Sequence, residues 1–68
     1  MYAYYLTQRP ASIGCYPKGN VLMIENYDTR KMVDEIGRPA WAKVTYTAPL
    51  SEKDVYDYEL TPSPKNNR

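Results

Sequence analysis

The stretch Ala40-Trp41-Ala42-Lys43-Val44-Thr45-Tyr46-Thr47 decides the fold. It is free of Gly and Pro, rich in β-branched and aromatic residues, and alternates in character, so it reads as a strand. Ala40, Ala42, Val44 and Tyr46 share one face, which reads as core. Trp41, Lys43, Thr45 and Thr47 share the other, which places Trp41 toward water or a partner. A helix start follows at Leu50-Ser51-Glu52-Lys53-Asp54-Val55. Ser51 is the N-cap, Glu52 and Asp54 lie in the first turn, and Leu50 and Val55 stand as a hydrophobic staple. The helix ends near Tyr58, with Val55 and Tyr58 or Leu60 facing inward.

Working outward, Tyr2 to Gln8 reads as a first strand, with Tyr2, Tyr4 and Leu6 on one face and Ala3, Tyr5 and Thr7 on the other. Tyrosine on both faces implies cover on both sides. Residues 9–20 carry Pro10, Gly14, Pro17 and Gly19 and read as a long loop, pinned by Ile13 and Tyr16. Residues 21–27 open with four apolar residues, which predicts a strand buried on both faces at its start. Asp28-Thr29-Arg30 reads as a turn. Residues 31–36 read as a short strand, with a helical turn capped by Asp28 or Thr29 as the alternative. Gly37 to Pro39 ends that segment. The expected class is α+β: a small antiparallel sheet of three to four strands, in ββββα order, with one short C-terminal helix. Residues 1–60 would form the domain and residues 61–68 a disordered tail.

Sixty-eight residues make one domain at most, and a chain this short buries only about 60% of its unfolded surface. With Cys15 the single cysteine and no histidine, an internal disulfide is excluded and a zinc site is disfavoured. Close packing of the tyrosine rings, or pairing with a second copy, must supply the missing stability. A homodimer is expected on this ground. The chain has eight tyrosines, one tryptophan and no phenylalanine. Tyrosine half-buries in a small core or offers a rigid contact ring.

Charge excludes little-selective electrostatic binding, since nine Lys plus Arg stand against eight Asp plus Glu, for a net +1. No apolar run approaches the roughly 20 residues of a membrane helix, and the first residues lack the basic and apolar regions expected of a signal peptide. A cytoplasmic protein is expected.

No reaction centre is legible, and no cofactor is expected. Cys15 has no histidine to activate it, so it reads as an unreactive loop cysteine despite Lys18 nearby. Glu52, Asp54, Asp57 and Glu59 could pair for acid–base work or hold a metal across a dimer, as in a small nuclease. A solvated helix face explains them better, and an acidic docking face for a basic partner comes next. The loop Gly14 to Gly19 lacks the ending of a phosphate loop. Tyr2, Tyr4, Tyr5, Arg9, Trp41 and Lys43 form the candidate binding surface, for a protein or for stacked single-stranded bases.

The segments Tyr4-Tyr5-Leu6-Thr7-Gln8-Arg9-Pro10, Gly37-Arg38-Pro39-Ala40-Trp41 through Leu50-Ser51-Glu52, and Tyr58-Glu59-Leu60 resemble small accessory proteins and modules of prophages and conjugative elements of Gram-positive gut bacteria. The resemblance carries no catalytic motif. It implies a mobile-element product of anti-defence type, a setting in which inhibitors of RNA-guided nucleases are of this size. The expected function is therefore a non-enzymatic, anti-CRISPR-like inhibitor that binds a host nuclease or other defence protein. The alternative is a dimeric single-stranded-DNA-binding or DNA-topology-altering sheet module. Its ββββα order is similar to that of the single-stranded-DNA-binding transcriptional coactivators, a likeness of topology alone.

Overall fold

Alternation along residues 40–47 organises the sheet as expected. The computed structural model describes residues 1–12 and 14–66. It contains β1 (Tyr2–Leu6), β2 (Val21–Val33), β3 (Arg38–Tyr46), α1 (Glu52–Asp57) and β4 (Leu60–Pro62), with a sheet order β2-β3-β1-β4. All pairs are antiparallel, and β3 lies between β2 and β1. Ala40, Ala42, Val44 and Tyr46 are fully buried on the core face of β3. Tyr4 opposite Val44 and Leu6 opposite Ala42 continue that face into β1, and Leu60 opposite Leu6 extends it into β4. Leu50, Val55 and Tyr58 cover it from the helix side, and Ala11, Cys15 and Tyr16 from the 9–20 loop. Ile13, the other expected pin of that loop, lies outside the described residues.

The α+β class, with a small antiparallel sheet and one short helix toward the C-terminus, is as read from the sequence. The Ser51 hydroxyl caps α1 by accepting the Asp54 N–H at 3.1 Å. Three details differ.

First, residues 21–33 form one long strand. Asn26 pairs with Ala42 and Lys31 with Ala40, so Tyr27 to Arg30 bulge out opposite Trp41 alone. Asp28 takes a left-handed φ of 65°, and its N–H donates to Asn26 Oδ1 at 2.9 Å. The predicted turn at 28–30 is this bulge. The chain cannot reverse there, because β3 is the partner on both sides. Of the predicted strand 31–36, Lys31 to Val33 continue β2. Asp34 to Gly37 make the reversal, closed by the Gly37 N–H to Val33 O at 3.0 Å with Gly37 at φ 69°.

Second, the apolar run at the start of β2 is not buried on both faces. Leu22, Met23 and Ile24 are 49%, 54% and 40% exposed. β2 is an edge strand, and Leu22 is an extra residue between the Val21–Tyr46 and Met23–Thr45 pairs.

Third, the fourth strand follows the helix, so the likeness to the coactivator order is lost. Thr61 and Pro62, expected to begin a tail, lie in β4. Ser63 is buried, and its N–H donates to Ala3 O at 2.9 Å. The Asn66 amide brackets Ala3, accepting its N–H at 2.7 Å and donating to its carbonyl at 2.9 Å. The physical reason is the edge of β1 left free by β3, whose backbone groups need partners. Pro62 is tolerated because Ser63 N–H points at β1, so the missing donor at 62 faces away. Among the described residues no helix is long and apolar enough to cross a membrane.

The hydroxyl of fully buried Tyr46 donates to Pro17 O at 2.7 Å and ties the 9–20 loop to the core. Replacing Tyr46 by Phe keeps the ring and strands the carbonyl. The expected loss is about 1–2 kcal/mol in urea melts, with faster proteolysis confined to residues 9–20.

Candidate functional site

Tyr5, Lys43 and Thr45 point to the face opposite the core, as alternation requires. That face is covered by the molecule itself. The β2–β3 hairpin curls back over it, and its tip residue Glu35 reaches β1 and the segment after β4. The Tyr5 hydroxyl donates to Glu35 Oε2. Ser63 Oγ donates to the same oxygen at 3.0 Å, and Lys65 Nζ lies 3.9 Å from Oε1. Lys43 Nζ stands 5.8 Å from the centroid of the Tyr5 ring. A cleft of about 500 Å³ remains beside this cluster, walled by Met1, Met23, Lys43 and Lys65.

The electrostatics follow from that geometry. Burial, reinforced by the bond to Glu35, pushes the Tyr5 hydroxyl well above its ordinary value of 10.0. The Tyr5 bond lowers the Glu35 carboxyl below its ordinary 4.5, against the opposing effect of burial and with help from Ser63, Lys65 and Lys43. Burial also raises Tyr27, with Glu25 and Glu35 adding to the effect.

The predicted surface residues are dispersed by this arrangement. Tyr4 and Tyr5 are 5% and 4% exposed and have no ring to offer a partner. Tyr4 packs edge-on against Tyr46 at 5.7 Å, and its hydroxyl accepts the Leu50 N–H at 3.0 Å. Tyr2 is half-buried on the core face, beside an open groove of about 1070 Å³ that Leu50, Val55 and Tyr56 also line. Trp41 is half-buried on the opposite face. Arg9 is ion-paired with Glu59. Lys53 pairs with Asp57 one helical turn away, which raises the lysine's affinity for its proton. Glu52 and Asp54 are at the helix start, where they complement its dipole. Among the described residues no three His, Cys, Asp or Glu side chains cluster to hold a metal. Cys15 lies half-buried with Sγ 3.0 Å from Ser12 Oγ.

Sequence reasoning missed two features. Glu35 sits inside segment 31–36 with no signal of its own; the Gly37 turn signal marks the reversal but not what the tip reaches. The apolar residues of β2 looked like core, yet Leu22, Met23, Ile24 and Met32 (62% exposed) are the largest apolar exposure of any strand.

The pH dependence of stability has a worked sign. Glu35 has a lowered folded-state value, so its contribution is full above the ordinary carboxylate range and is lost as pH falls through the folded value. Tyr5 has a raised value, so its contribution is full below pH 10.0 and is lost as pH climbs through its folded value. Stability should be flat from about pH 5 to 9, fall below that range through Glu35, and fall above about pH 10 through Tyr5. Glu35→Gln should flatten the acid limb and cost about 1–3 kcal/mol on the plateau, measured by urea titration at each pH.

Comparison with known proteins adds one match. Residues 1–65 match the family described as Defence against restriction A C-terminal. No curated protein and no solved structure matches the chain. Since nearly the whole sequence is matched, the chain belongs to the Defence against restriction A C-terminal family, and its role is one of anti-defence, against restriction.

Proposed function

We propose that this chain counters host defence by binding, without chemistry of its own, to a surface of a defence nuclease. Restriction nucleases are the first target class, given the family, and RNA-guided nucleases the second. The setting implied by the sequence resemblance is a prophage or conjugative element of a Gram-positive gut bacterium, acting in the host cytoplasm.

One observation supports this reading above the others. Leu22, Met23, Ile24 and Met32 stand exposed along a single edge strand, flanked by exposed Glu25, Arg30 and Lys31. Met23 and Met32 lie on the side away from the core, opposite Thr45 and Pro39, and Ile24 lies on the core side, opposite Val44. The strand thus presents an apolar edge with charged neighbours. Such an edge suits a protein interface, and methionine adapts to irregular partner surfaces. The carboxylates Glu52, Asp54, Asp57 and Glu59 serve as a secondary docking face for basic groups. The same β2 strip is where a homodimer would form if the chain pairs with itself. The nucleic-acid alternative has weaker support, because Tyr5 is buried and Lys43 already lies over its ring.

The test is a double variant, Met23→Lys with Ile24→Glu, in a restricting host. Met23 is 54% and Ile24 40% exposed, and a thermal melt of the purified variant establishes that it is folded. Phage or plasmid protection should drop, and the affinity of the purified chain for the captured nuclease should fall at least tenfold, about 1.4 kcal/mol. Full protection by a folded double variant would remove the β2 strip from the function. Retarded DNA at low salt, lost on changing Trp41 or Lys43, would favour the DNA-binding alternative instead.

A further inference from the structure

We propose that the β2–β3 hairpin, residues 27–39, is a flap over the second face of the sheet, and that Glu35 is its latch. The inference stands apart from the partner reading above, because it concerns motion within the chain.

Three observations carry it. The flap joins the sheet where pairing is weakest, since Tyr27 to Arg30 oppose Trp41 alone and Asp28 is left-handed. Beyond that point the ladder is three pairs long, Lys31–Ala40, Met32–Pro39 and Val33–Arg38, and Pro39 has no N–H to give. The flap contributes nothing to the buried core cluster; Val33, Glu35, Ile36 and Pro39 are half-buried and the remaining residues from 31 to 38 are exposed. Against these weak ties stands one carboxylate that gathers Tyr5 from β1 and Ser63 and Lys65 from the segment after β4. Segments with few buried apolar contacts open at lower free energy than the core. A tip held by a single polar cluster is therefore the part of this sheet that opens first.

Charge sets the latch. Lys43 from β3 and Lys65 after β4 favour an ionised Glu35, Glu25 and Tyr27 of β2 lie on the same side, and Tyr5 from β1 donates to it. Protonating Glu35 removes the attraction to both lysines and weakens both hydroxyl bonds. Opening uncovers Tyr5, buried in the closed form, and widens access to half-buried Trp41 and Lys43 on the same face.

Native-state hydrogen exchange with urea reads the opening directly. In the wild-type chain the Ile36 and Gly37 amides, both bonded to Val33 O, should exchange at least tenfold faster than the β1 and β3 amides. Their rates should depend only weakly on urea. Glu35→Ala should bring them close to free-peptide rates while the β1 and β3 amides stay protected. The single tryptophan, Trp41, should become more open to acrylamide quenching with the sheet's circular dichroism retained. Tyr5→Phe, which removes one donor and keeps the ring, should move the same amides part of the way. Lowering pH below the carboxylate range should reproduce the Glu35→Ala pattern in the wild type. One common exchange rate with one common urea dependence for flap and sheet, in wild type and in Tyr5→Phe, would overturn the proposal. So would an unchanged Trp41 in a folded Glu35→Ala variant.

Discussion

Everything in this small domain hangs on tyrosine rings buried in the β1–β3 pair with their hydroxyls turned outward to segments that cover the sheet. Tyr46 holds the 9–20 loop through Pro17, Tyr4 holds the helix entry through the Leu50 amide, and Tyr5 holds the hairpin tip through Glu35. Phenylalanine in these places would fill the same volume and tie down nothing. A chain too short for a large core gains from side chains that supply apolar area and a directed hydrogen bond at once. The absence of phenylalanine from the composition thus acquires a structural reason.

The two edges of the sheet are managed differently. β4 is three residues long and ends on Pro62, which offers no donor. β2 is long and apolar at its exposed end, but two irregularities break its ladder with β3 and leave no continuous template for strand addition. What β2 presents is a side-chain surface more than a backbone one. The surface binding proposed above would use those exposed, adaptable side chains on a stable frame.

Much of the frame was legible in the chain. The alternation at 40–47 gave the central strand and its core face, and the Ser51 cap gave the helix, because both signals are local and both govern the backbone directly. Tyr46 as core and Tyr58 as a partly buried helix contact followed from the same periodicities. Less was legible in the candidate site. Tyr4 and Tyr5 looked like contact rings because a strand with tyrosine on both faces shows no cover of its own. The cover of Tyr5 is a hairpin tip thirty residues away. Val21 to Ile24 looked like core because an apolar run carries no mark of its place in the sheet order.

By itself, then, the sequence determined the local elements: two alternating strands, a capped helical turn, a Gly-marked reversal, and the lack of histidine and of a second cysteine. These depend on neighbours along the chain and on the chemistry of single side chains. Only the tertiary structure decided that residues 21–33 are one bulged edge strand, that 60–62 close the other edge, and that Glu35 gathers Tyr5, Ser63 and Lys65. Those outcomes rest on which backbone edges remained unpaired and on which distant hydroxyls could meet one carboxylate. Both are properties of strand order and curvature, and a linear sequence holds them only implicitly.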